Sequence, residues 1–139
     1  MIDSSAVAKW VLSGEPYSEN AVKVKSDQVS GIVQLCAPSF MVLEVANAVW
    51  RAIKLGRITQ ETAQRAVKRL GDLHINLYDL NWSEASDILA IASKLDLAIY
   101  DTAYLFLSEK MDIKLVTADD KMYKKANGQF QVLHLKDYP

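Results

Sequence analysis

Short apolar runs alternate along this chain with stretches that repeat apolar residues at helical spacing, and this alternation constrains the fold more than any other feature. Residues 1–2 can only be the end of a very short strand. Segments 6–12 and 17–26 read as helices separated by Glu15-Pro16, and 32–36, closed by Pro38, reads as a buried strand. Residues 40–55 are rich in helix formers and followed by Gly56, a good C-terminal stop. Thr59 can cap a helix running to Leu70, 75–80 reads as a strand, and Ser83 can cap a helix to Leu95. A helix over 100–111, a strand over 114–117, a short helix over 119–126 and a last strand over 130–135 complete the pattern. Strands alternating with helices predict an α/β fold, a mainly parallel sheet covered on both faces. No repeat, low-complexity stretch or linker interrupts it, so residues 1–139 are expected to form one domain.

Composition narrows the class. With 50% hydrophobic and 24% charged residues the chain can bury a core without a disulfide or structural metal. Its longest apolar runs are five residues, 88–92 and 103–107, against about 20 for a membrane-spanning helix. The first five residues lack the basic stretch and apolar segment of a secretory signal. A single cysteine, Cys36, forbids an intramolecular disulfide and any multi-cysteine metal site. These features predict a cytoplasmic protein with no membrane partner. The net charge of -1 argues at first sight against nucleic acid.

Ligands of open parallel sheets bind at the carboxyl ends of the strands. Asp3 follows the first strand, Asp119 follows a late one, Glu44 lies early in the helix after the 32–36 run, and Asp101 opens another helix. Each has a structural explanation. An Asp at a helix start caps it and suits its dipole, and Glu44 shares a stripe with Asn47, Arg51 and Lys54 as a solvated face does. Yet Glu44 and Asn47 sit among Met41, Val42, Leu43, Val45, Ala46 and Ala48, and Asp101 opens a segment that is almost wholly apolar over 103–107. Helices this apolar are packed on most sides, and their lone acids are expected to face a cleft. Carboxylates that share a cleft repel one another unless protonated or neutralised by a cation. An all-oxygen set suits Mg²⁺ or Mn²⁺, and hydrolysis of a phosphodiester is the natural reaction for that arrangement.

The same acids carry a family resemblance. The stretches 2–7 (Ile-Asp-Ser-Ser-Ala-Val), Pro38 with 44–50 (Glu-Val-Ala-Asn-Ala-Val-Trp), 100–105 (Tyr-Asp-Thr-Ala-Tyr-Leu) and 115–119 (Leu-Val-Thr-Ala-Asp) resemble the four acidic motifs of PIN-domain ribonucleases. They look most like the toxins of VapBC-type toxin–antitoxin pairs, in the same order and spacing over nearly the whole chain. The resemblance implies a central five-stranded parallel sheet, Mg²⁺- or Mn²⁺-dependent cleavage of RNA, a homodimer and inhibition by a VapB-like antitoxin. Carried over by position, it assigns Asp3, Glu44, Asp101 and Asp119 as the catalytic and metal-binding acids. Ser5, Asn47 and Thr117 take supporting roles. Asp119 fits the Thr-x-Asp pattern and is favoured over the adjacent Asp120, which is kept as a supporting residue. The chain departs from the family in having only two residues before its first Asp, which makes the first strand short.

Over 51–69, six bases (Arg51, Lys54, Arg57, Arg65, Lys68 and Arg69) face Glu61 alone. That is a candidate phosphate-binding surface or the solvated side of two helices. Arg51, Lys54, Arg65 and Lys68, with Lys121 just past Asp119, are the RNA-binding candidates. Set aside the four acids and 16 bases stand against 13 acids, so near-neutrality reads as cancellation between an acidic cleft and a basic stretch. His74 and His134 read as core or surface residues, Cys36 as a buried thiol, and Trp50 as a core residue. Two rival functions are an RNA-processing nuclease of the same family and a non-catalytic signalling or binding module with an acidic pocket. A receiver domain is the nearest such module, but it places its acidic pair after the first strand, whereas Asp119-Asp120 follows a late one.

Overall fold

The computed structural model describes residues 1–139. Residues 1–3 run between two parallel ladders and hydrogen-bond to both. Ile2 N donates to Cys36 O (3.0 Å), Asp3 N to Val116 O (3.2 Å), and Val116 N to Met1 O (2.9 Å). One ladder pairs β1 (Cys36–Pro38) with β2 (Asn76–Tyr78). The other pairs β3 (Leu115–Thr117) with β4 (Val132–His134). The continuous five-stranded sheet that the resemblance implies is not present as such: there are two two-stranded ladders, with Ile2 joined to Val116 by an isolated bridge. The strands are short because helices begin almost at once. Asp3 caps α1 (Ser4–Val7), β1 leads within three residues into α3 (Met41–Lys54), and Asp119 caps α7 (Asp120–Ala126).

Four further helices complete the chain, α2 (Ser18–Val29), α4 (Gln60–Leu70), α5 (Trp82–Leu95) and α6 (Ile99–Lys110). The helix expected over 6–12 starts earlier, at Ser4, and passes into a 3₁₀ turn at Ala8–Trp10. The strand expected over 32–36 forms only from Cys36. Ile32 and Val33 instead donate their N–H groups to Asp27 O at the end of α2 (2.9 and 3.3 Å), and Ile32 is exposed. Backbone donors committed to a helix end are not free for a ladder. At α5 the cap is Asn81, not Ser83. Its side chain accepts from Glu84 N (3.0 Å) while Glu84 Oε2 accepts from Asn81 N (2.8 Å), a reciprocal capping box. Thr59 caps α4 as the sequence predicts.

The core holds Ile2 and Val7 with Val45 of α3, Leu105 of α6, Leu115 of β3 and Met122 of α7. Cys36 is buried, as expected. Trp50 is not: it lies 53% exposed, with Lys54 Nζ 4.7 Å from its ring centre. Val45, Val49 and Ala52 carry the buried side of α3, so position 50 falls on the outer side with Asn47, Arg51 and Lys54. His74 is exposed, whereas His134 is fully buried between the edges of Tyr17 and Tyr123. No helix is long and apolar enough to cross a membrane.

Candidate acidic site

Asp3 is the buried centre of the site, with 2% of its surface exposed. Its Oδ1 accepts from Ser5 Oγ (2.7 Å) and Ala6 N (3.1 Å), and its Oδ2 from Thr117 Oγ1 (2.5 Å). Both hydroxyls also serve the opposite side of the cleft. Ser5 Oγ accepts from Ala118 N (2.9 Å) and Thr117 Oγ1 from Asp119 N (2.9 Å). Ser5 and Thr117 thereby bolt the start of α1 to the turn between β3 and α7, which carries Asp119. Burial pushes the Asp3 carboxyl up to about 6, opposed by its three hydrogen bonds and reinforced by the Asp119 charge.

Glu44 and Asp101 reach the same region from α3 and α6. Burial, then the charges of Asp119 and Glu44, raise the Asp101 carboxyl above its ordinary value, while Lys121 opposes them. Acids far apart in the sequence therefore feel one another in the fold. Asp119 Oδ1 also caps α7 by accepting from Met122 N (2.8 Å). Asp120 turns away: its Oδ1 stands 3.1 Å from Nε2 of His134, whose Nδ1 accepts from Lys136 N (3.1 Å). As placed, no three carboxylate, histidine or cysteine side chains stand close enough together to hold a metal ion.

The remaining candidates divide clearly. Asn47 is exposed on α3 and makes no hydrogen bond to the acids. Arg51, Lys54, Arg65, Lys68 and Lys121 lie on the surface, and Arg65 stands 3.7 Å from Glu61 in a solvent-facing pair of little strength. Arg57 of the basic stretch is drawn off by Glu15 at 2.5 Å. One residue escaped the sequence reading. Tyr104, fully buried on α6, donates its hydroxyl to Glu44 Oε2 at 2.6 Å. Burial and the Glu44 carboxylate push this phenol upward, so it stays a donor. Its signal was its place three residues after Asp101, which sets both on one face of α6; among apolar neighbours it read as packing.

An α/β domain with Asp3 and Asp119 just past the ends of short parallel strands, and with Glu44 and Asp101 within electrostatic reach of one another, defines a class of acidic-cleft proteins. The model of the PIN domain matches residues 1–128, and the chain belongs to that family. Ribonuclease VapC3 of Pyrobaculum aerophilum is 29% identical over 126 residues, covering 90% of this chain and 92% of that protein. Exonuclease VapC9 of the same organism is 29% identical over 91 residues, 66% of each chain. The crystal structure of PAE2754 from Pyrobaculum aerophilum matches with a TM-score of 0.68 and 21% identity, over 97% of this chain and 89% of that one. That last likeness is one of fold.

Proposed function

We propose that this PIN-domain protein, acting as one domain over residues 1–139, is a Mg²⁺- or Mn²⁺-dependent endoribonuclease and the toxin of a type II toxin–antitoxin pair. The observation that carries this reading is the bolted pair Asp3 and Asp119, with the charges of Asp119 and Glu44 near enough to Asp101 to add to the upward push that burial gives its carboxyl. Uncompensated negative charge on an all-oxygen donor set fits a hard divalent cation. Because no three of these side chains stand close enough to ligate one ion together, Asp3, Asp101 and Asp119 would hold it in part through water, as Mg²⁺ sites commonly do, with Glu44 completing the set. Bound there, the cation would polarise an RNA phosphate and stabilise charge on the leaving oxygen. Glu44 Oε1, which carries no protein hydrogen bond, is free to orient an attacking water, while Oε2 is held by Tyr104. Ser5 and Thr117 keep Asp3 in place, and Lys121, beside Asp101, offers a phosphate contact. No side chain forms a covalent intermediate.

The same reading includes a VapB-like antitoxin as inhibitor and a homodimer in the cytoplasm. Trp82 and Leu89 on α5 and Ile99 and Tyr100 on α6 are exposed apolar residues and the candidates for that contact. An RNA-processing role for the same chemistry is the alternative within the family, and the relative named as an exonuclease favours testing the mode of cleavage.

The test is incubation with single-stranded RNA, in linear and circular form, with Mg²⁺ or Mn²⁺. Both forms are expected to be cut. Cleavage should stop with EDTA and fall to background in Asp101→Asn. Cutting of linear RNA alone marks an exonuclease, and cleavage that survives both EDTA and Asp101→Asn overturns the metal mechanism. Metal binding without any cleavage of RNA identifies a non-catalytic acidic pocket.

A further inference from the structure

We infer that Tyr104 is a positioning residue for Glu44, one that commits this carboxylate to working through a single oxygen. The inference rests on the nuclease reading above and adds a residue to it. The hydroxyl of Tyr104 lies 2.6 Å from Glu44 Oε2 and is the only protein group that hydrogen-bonds to this carboxylate. A phenol donating to a carboxylate at that distance makes a strong, charge-assisted bond. The ring itself cannot drift. Tyr104 is 1% exposed, and the edge-to-face packing of Phe40, with ring centres 5.6 Å apart, clamps it from the residue before α3. Phe40 packs in the same way on Tyr100 at 5.1 Å, so one aromatic cluster joins the start of α3 to the start of α6.

Both helices are tied by this bond. Asp101 and Tyr104 share a face of α6, so Tyr104 fixes the acid of α3 relative to the acid of α6. It also leaves Oε1 as the only oxygen of Glu44 without a protein partner. Without this bond, the long, only half-buried Glu44 side chain is free to rotate away from Asp101 and Asp119. Outer partners that orient ligating carboxylates typically change metal affinity or activity about 10- to 100-fold when removed.

The experiment compares wild type with Tyr104→Phe, which deletes one oxygen and keeps the ring and its packing. Mn²⁺ affinity is measured calorimetrically without RNA, kcat and KM by RNA cleavage, and the metal-free melting temperature is recorded beside them. Tyr104→Phe is expected to bind Mn²⁺ roughly tenfold more weakly and to lose kcat about 10- to 100-fold, with KM for RNA unchanged. In a Glu44→Gln background, the Tyr104→Phe change should have no further effect on Mn²⁺ affinity. A change in melting temperature alone, with Mn²⁺ affinity and kcat as in wild type, overturns the positioning role. So does an equal loss in the Glu44→Gln background. A wild-type protein that neither binds Mn²⁺ nor cuts RNA overturns the nuclease reading itself, and the role of Tyr104 with it.

Discussion

Asp3 and Asp119 each cap a helix with one carboxylate oxygen. Asp3 Oδ1 caps α1 through Ala6 N, and Asp119 Oδ1 caps α7 through Met122 N. The capping and functional explanations of these residues are therefore compatible, because a carboxylate has two oxygens and several acceptor sites. Burial of Asp3 also couples the site to stability. Its carboxyl rises from 3.8 to about 6 in the folded chain. Between those values the folded state binds more protons than the unfolded, so this group's contribution to stability falls as pH rises through the window. The shift corresponds to on the order of 3 kcal/mol. In metal-free protein, the stability of Asp3→Asn relative to wild type should therefore climb from pH 4 to pH 7, as read from urea unfolding curves. A flat difference would show that Asp3 is not held in a desolvated site.

At the scale of elements, helices were more legible than strands. The periodic stretches became α2 to α7 with shifts of a few residues at their ends, because amphipathic spacing and capping are local properties. The strands are shorter than their apolar runs suggest because a ladder needs a partner. Residues 32–33 look like the start of a strand but are consumed by the end of α2, and β2 is a three-residue edge with exposed Leu77 and Tyr78. The start of α5 shows how local chemistry still decides a boundary. Asn81→Ala removes the acceptor for Glu84 N and should cost about 1 kcal/mol of stability, leaving RNA cleavage unchanged. Thermal melting with a parallel cleavage assay checks both halves, and a drop in cleavage would tie α5 to the site.

Charge and oligomeric state belong to the whole molecule. The exposed bases of α3 and α4 include Arg51 and Lys54 on the helix that carries Glu44, so the near-zero net charge says little about where charge sits locally. Reversing Arg65 and Lys68 to Glu should weaken RNA binding. It should also make the slope of log affinity against log salt shallower, by about one for each phosphate that is no longer neutralised. Unchanged affinity and slope would remove this surface from the RNA path. Trp82 is 93% exposed at the start of α5. If it lies in the proposed homodimer contact, Trp82→Glu should shift the protein to monomer in sedimentation velocity, with its circular dichroism unchanged; a wild-type monomer would contradict the dimer. The α/β class and the helices could be read from the chain because each rests on spacing, capping or residue type within a few positions. Two things required the folded molecule: the bond from Tyr104 to Glu44 and the diversion of Asp120 toward His134. Each depends on which distant element lies opposite a side chain, and local periodicity carries no information about that.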